Sequence, residues 1–319
     1  MLKDSFEKKL IYHIQNETKK GNKDNISRTK CYESFYFRYP EIQWSLLAGF
    51  VSRNAGWHMC DLEGILFTKI FSKNFRRAIF AIYEKANWLI FQDVYPQLLL
   101  YHYSTVMNKP LFHLLPYFSV SRFMQREWLR FWEKRDKQRL LYALIINEQN
   151  LIQEPIINNQ ENQRLVFQSI PYQFQDRFSY TFVLLPTLEG ILYGCPVKKF
   201  TDLHERIELG KRLALILFSQ NLQQKFLDFA KSVEPTGSRM DFAQFMNGII
   251  KLKTPILRLT YPMVDHPSVQ FRSWDSYRPV QNRWFAKPAM KRIGPVTEKY
   301  VKKQRKIAYM TFIKDLAFS

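Results

Sequence analysis

The chain has 319 residues, 46% hydrophobic and 16% aromatic, with only 10 glycines, a balance that suits a substantial core of packed helices better than turn-rich sheets. Its 48 basic residues against 28 acidic ones give a formal charge of +20, which favours anionic partners. The three cysteines, Cys31, Cys60 and Cys195, are odd in number and lack any CxxC spacing. They exclude a disulfide framework and a zinc knuckle and fit a reducing cytoplasm.

The N-terminus has no continuous apolar segment of the signal-peptide kind. A first helix is expected over about residues 3–20, ending near Gly21 and Asn22. Asp24, Asn25 or Ser27 then offers an N-cap for a short aromatic helix. Pro40 and Glu41 suit the start of another, in which Trp44, Leu47, Ala48 and Val51 form one stripe. Leu46 and Phe50 make that segment apolar nearly all round, so it is expected to be a central, buried helix.

The next stretch, VSRNAGWHMCDLEG (residues 51–64), reads either as a site or as a helix end. The expected arrangement is an exit at residues 54–56, with Trp57 as an anchor and Asp61 as a cap for the next element. Residues 75–95 carry Ile79, Tyr83, Ala86 and Ile90 at helical spacing, and Pro96 is expected to break or kink the helix. Six polar or proline interruptions between Glu84 and Pro96 argue against a transmembrane span there.

Further helices are expected around 122–135 and 137–152, then an irregular segment over about 153–200 that can hold a short hairpin. Asp202 is placed to cap a helix over about 203–219, with Leu203, Ile207, Leu213 and Leu217 inward and Glu205 and Lys211 outward. Prolines beyond residue 250 suggest an extended, wrapping arm before a last helix of about 296–316. The expected fold is therefore mainly α: a multi-helix core over 1–250, and a basic arm plus terminal helix over 251–319 packed on that core as one unit.

Two carboxylates, Asp93 and Glu148, fall on apolar stripes. A buried, unpaired carboxylate costs several kcal/mol or takes up a proton, so both need partners. Arg53 and Arg206, each at or beside an apolar face, are the candidates. The four residues form either a structural ion-pair network or a polar pocket in which Asp93 or Glu148 acts as a base or metal ligand. His58, His102, His113 and His204 show no HExxH or HxxxH spacing, so no metal or other cofactor is expected. In EPTGSRMDF (residues 234–242), Gly237 and Ser238 suit a helix end and a cap more than a phosphate cradle, because the P-loop spacing is absent.

The arm is the second candidate. Residues 251–319 hold 15 Lys or Arg and 4 Asp or Glu, a net of +11 out of the chain's +20. Within it Arg272, Arg278, Arg283, Lys287, Lys291 and Arg292 alternate with Trp274, Tyr277, Trp284 and Phe285. Cations neutralise phosphates while aromatic faces stack on bases, so the composition suits nucleic acid or an anionic membrane surface. The alternative is that the aromatics anchor the arm to the core while the cations stay solvated.

The run DNISRTKCYESFYFRYPEIQWSLLAGFVSRNAGWHMCDLEG resembles the YppC-like family of bacterial proteins, a family of unknown function (DUF2515) found in Bacillus-type bacteria. Later stretches, among them ANWLIFQDVYPQLLLY, ALIINEQNLI, RIELGKRLALILF and EPTGSRMDF, resemble further family blocks in the same order, over roughly residues 20–245. The resemblance implies a full-length bacterial cytoplasmic protein and transfers no catalytic residue. His58 stands where the family usually has an asparagine after Gly-Trp, which lowers its weight as a catalytic group.

These features support three functional expectations. The first is a non-enzymatic polyanion binder acting through residues 272–306; the others are an enzyme built on Arg53, Asp93, Glu148 and Arg206, and an interaction scaffold.

Overall fold

The computed structural model describes residues 5–169, 172, 181–246, 254–267, 273–290 and 292–318, with side chains described as far as Tyr309. The sequence begins with α1 (Ser5–Gly21), which buries Leu10, Ile11 and Ile14 at helical spacing. Helix α2 (Asn25–Arg38) starts at Asp24, whose carboxylate accepts the Ser27 amide at 2.7 Å and so satisfies one of the free N–H groups of the first turn.

Helix α3 (Gln43–Leu62) is the central element, with nearly every residue buried. The helix does not exit at residues 54–56 as expected; it continues for another turn and a half. Two packing features explain the polar and small residues that suggest an exit. Asn54 turns its amide onto strand backbone, and Gly56 lets the chain at Gly237 approach so closely that a β-carbon at Gly56 would lie 3.2 Å from the Gly237 Cα.

After the short α4 (Ile65–Ile70), Ser72 caps α5 (Lys73–Val106), a helix of 34 residues and so about 50 Å long. Pro96 lies inside it and does not end it. A proline there forfeits one backbone hydrogen bond and crowds the preceding turn, at a cost of about 3 kcal/mol. Phe91, Val94, Leu98 and Leu100, all fully buried on either side of the proline, hold the two halves in one core.

Helices α6 (Arg122–Lys134) and α7 (Lys137–Leu151) pack on each other and are capped by Ser121 and Asp136. The irregular segment holds the hairpin: β1 (Phe182–Pro186) pairs antiparallel with β2 (Leu192–Pro196), Leu184 opposite Gly194. Asp202 caps α8 (Leu203–Leu217) by accepting the Glu205 amide at 3.0 Å. Lys211 on α8 points inward, contrary to the expected outward face. Its ammonium pairs with Glu208 and donates to the Ala286 carbonyl at 2.8 Å, so the charge is neutralised inside. Helix α9 (Gln223–Ser232) comes next, and α10 (Thr297–Phe318) closes the chain.

The arm between them is fastened to the core at several points. Trp274 donates to Asn147 on α7 at 2.9 Å, Asp275 accepts the Phe123 amide at the start of α6 at 2.7 Å, and Trp284 is buried. At the edge of the hairpin, the Val296 amide donates to the Leu192 carbonyl at 2.7 Å, and the Leu192 amide donates to Thr297 Oγ1 at 2.9 Å. The main core runs through α3, α5, α7 and α8; a smaller cluster lies between the first half of α5 and residues 152–167. The two clusters flank a cavity.

Candidate functional site

The cavity, of about 170 Å³, opens where α3, α5, α7 and α8 approach β1. Its walls are chiefly aliphatic: Leu47 and Val51 from α3, Ile79, Ile82 and Ile90 from α5, and Leu209 and Leu213 from α8. The polar residues among them include Asn54, His58, Tyr83, Asn87, Glu148, Gln149 and Arg206, with Tyr172 and Thr181. Such a mixture, mostly apolar with a handful of placed polar groups, is what small-molecule sites are made of.

Of the four residues expected to converge, two share this cavity. Glu148 accepts from Trp44 Nε1 at 3.0 Å and from Gln149 Nε2 at 3.0 Å, and no cation meets it. Burial pushes its carboxyl up to about 7, with the two hydrogen bonds opposing the shift. Arg206 donates to Gln149 Oε1 at 2.9 Å, so one glutamine side chain bridges the acid and the guanidinium. Burial lowers Arg206 to about 10, which still leaves it charged at neutral pH.

Asp93 is placed apart, between α5 and α7. Its Oδ2 accepts from Asn147 Nδ2 at 2.7 Å and from Gln97 Nε2 at 2.8 Å, and burial pushes this carboxyl up to about 7 as well. Asn147 also accepts from Ser121 and from Trp274, so the Asp93 network ties the core to the arm. Gln97 in turn accepts from Trp128 Nε1 at 2.8 Å.

Arg53 does not pair with Asp93 or Glu148. It grips Glu33 with two bonds, Nε to Oε1 at 2.7 Å and Nη2 to Oε2 at 2.9 Å, and it caps the end of α9 through the Val233 and Ala230 carbonyls. The reason is position: Arg53 lies on the side of α3 that faces α2 and α9, whereas Glu148 reaches the side facing α5 and α8. Sequence reasoning missed Glu33, and it missed Arg28 paired with Glu84 and Arg239 paired with Asp61. For Glu84 a signal existed, since it interrupts an apolar helix run in the manner of Asp93.

Asp61 is not a cap. Arg239 Nη2 lies 2.6 Å from its Oδ2, and His58 joins the pair by accepting from Arg239 at Nδ1, 3.1 Å away. His58 Nε2 lies 3.0 Å from the Phe182 carbonyl, which can only accept, so this nitrogen carries the proton. Burial and the adjacent guanidinium hold His58 down to about 3, a fixed neutral ring in the cavity wall. Burial, with Asp61 and Asp241 beside it, pushes the Cys60 thiol well up, away from the thiolate a nucleophile requires. The EPTGSRMDF loop spends its donors internally: Thr236 on Asp241, Ser238 on Thr254, and the Arg239 side chain on Asp61.

In the arm, Trp284 is 1% exposed and packed into the core, so it presents no face to a base. Arg278 is paired with Glu154 at 2.5 Å and sits over the Tyr277 ring. Arg283, Lys287 and Arg292 are exposed. Arg272 and Lys291 lie outside the described residues. Among the described residues, no group of three His, Cys, Asp or Glu side chains is arranged to hold a metal, and no helix is long and apolar enough to cross a membrane.

Residues 20–300 match the model of a family described as a protein of unknown function, DUF2515. The uncharacterized protein YppC of Bacillus subtilis (strain 168) is 46% identical over 300 residues, which cover 94% of this chain and 93% of that protein. No solved structure matches the chain.

Proposed function

The chain belongs to the DUF2515 family, whose description assigns no activity, and we propose from its own geometry that it binds a small, largely apolar molecule in the cavity between α3, α5, α7, α8 and β1. The observation that carries this reading is an aliphatic cavity whose wall holds a carboxyl and a guanidinium without a direct partner of opposite charge. Size sets the ligand. An aliphatic cavity of about 150 Å³ accepts benzene, so this one suits a single ring, or a short branched chain, with one polar group. Benzyl alcohol titrated against the protein and monitored by ligand-observed NMR tests the reading. Binding should be lost when Val51→Trp fills the cavity; binding that survives the substitution, or none in the parent protein, defeats it.

Polyanion binding by the arm is the second reading, supported by its net charge of +11 and by the exposed Arg283, Lys287, Arg292, Lys299, Lys302 and Arg305. With Trp274 and Trp284 committed to the core, the contacts would be to phosphates, and nucleic acid is the proposed partner. Affinity for an oligonucleotide should fall steeply as salt rises. No binding at low salt, or binding confined to anionic vesicles, counts against it. We place the protein in the cytoplasm, a reading supported by its three free cysteines.

A further inference from the structure

Five arginines are buried among the described residues: Arg28, Arg53, Arg76, Arg206 and Arg239. Four of them meet a carboxylate, respectively Glu84, Glu33, Glu63 and, for Arg239, Asp61. Arg206 is the exception, and it is the one that lines the cavity. Its bonds go to neutral acceptors: Gln149 Oε1 at 2.9 Å, the Phe200 carbonyl at 2.8 Å, the Gln149 carbonyl at 3.2 Å and Gln153 Oε1 at 2.5 Å.

The acids nearest in sequence are engaged elsewhere. Asp202 caps α8 and acts on the Arg206 guanidinium only through space, with no bond between the two side chains, and Glu205 faces Lys199 and Arg212. A guanidinium has five N–H donors, and the four bonds named use four of them, so one is left for a further acceptor. A buried cation whose direct bonds all go to neutral dipoles is costly, and the cost falls when an anion arrives in contact with it. Close by, Glu148 has no cation to hold it ionised and can donate its proton.

Resting on the reading of the cavity as a ligand site, we propose that its ligand is a small apolar carboxylic acid, bound as the anion, whose carboxylate completes Arg206 while its hydrocarbon part fills the aliphatic walls. The acid loses its proton to solvent before binding, so no co-reactant is involved. Within this one molecule the other buried arginines serve as the control: the fold supplies a carboxylate wherever the guanidinium is closed off from the cavity. At Arg206 the ligand supplies it.

The test compares three ring compounds of one size and different charge, benzoate, benzyl alcohol and benzylamine, by calorimetric titration of the full chain at pH 7.5. Benzoate should bind about tenfold or more tightly than benzyl alcohol, the increment expected of a hydrogen bond to a charged group. Arg206→Gln should erase that preference while benzyl alcohol still binds, and Arg206→Lys should retain part of it. Equal binding of benzoate and benzyl alcohol overturns the acid assignment and leaves the cavity reading standing. Preference for benzylamine overturns it in favour of Glu148 as the charged group. Failure of all three compounds to bind overturns both readings. If Arg206→Gln does not fold, the ranking of the three compounds on the parent protein still decides.

Discussion

Arg239 and Asp61 are 178 residues apart in sequence, and the guanidinium closes on the carboxylate with Nε 2.7 Å and Nη2 2.6 Å from Oδ2. The pair joins the C-terminal half of α3 to the loop before residues 240–243, and Tyr300 of α10 accepts from the same arginine at 3.2 Å. Asp61→Asn would leave a buried guanidinium without its counter-charge. Removing one partner of such a pair costs about 3–5 kcal/mol, so the variant should unfold at clearly lower urea concentration than the parent, with the slope of the transition unchanged.

Asn54 holds β1 by imitating a neighbouring strand. Its Oδ1 accepts the Leu184 amide at 2.7 Å and its Nδ2 donates to the Leu184 carbonyl at 2.8 Å. Asn54→Leu keeps the branched shape but leaves both backbone groups buried and unpaired. A loss of about 2–5 kcal/mol is expected, together with faster hydrogen exchange of the Leu184 amide. Unchanged exchange at that amide would refute the role.

The two raised carboxyls give stability a definite pH dependence. Asp93 and Glu148 stand at about 7 in the folded chain, against ordinary values near 4 for the unfolded one. Between those limits the folded state keeps protons that the unfolded state has released, so stability falls as pH rises from about 4 to about 7 and levels off above. The slope is about 1.4 kcal/mol per pH unit for each group. Asp93→Asn keeps an oxygen for Gln97 and Asn147 and removes the titration. In urea unfolding at a series of pH values, the variant should gain on the parent from pH 5 to pH 8; a constant difference would contradict the assignment.

Lys211 fixes the arm through the Ala286 carbonyl, one residue before the exposed Lys287. Lys211→Met retains the buried methylenes and loses both the bond to the arm and the charge paired with Glu208. Tryptic cleavage after the exposed Arg283, three residues before Ala286, should accelerate severalfold while the helical signal in circular dichroism stays close to that of the parent. Equal cleavage rates would show that Trp274, Asp275 and Trp284 hold the arm without the lysine.

Residue order alone dictates local features of this chain. Helical spacing and cap residues located α2 behind one of Asp24, Asn25 and Ser27, of which Asp24 is the cap, α8 behind Asp202 and the buried character of α3, because caps and amphipathic stripes act within one or two turns. The same periodicity marked Asp93 and Glu148 as acids among apolar neighbours, and both are buried. It could not say which face of α3 Arg53 occupies relative to α5, nor that Lys211 turns inward, because apolar stripes name a buried face without naming what packs on it. It misread residues 54–56 as an exit, since asparagine and glycine end helices in isolation but here receive a strand and a loop that arrive more than a hundred residues later. Tertiary structure alone decided the partners: which arginines meet carboxylates, and that Arg206, left to carbonyl oxygens, lines the cavity. Ion pairs and cavities depend on helices crossing in space, a geometry set by the whole core.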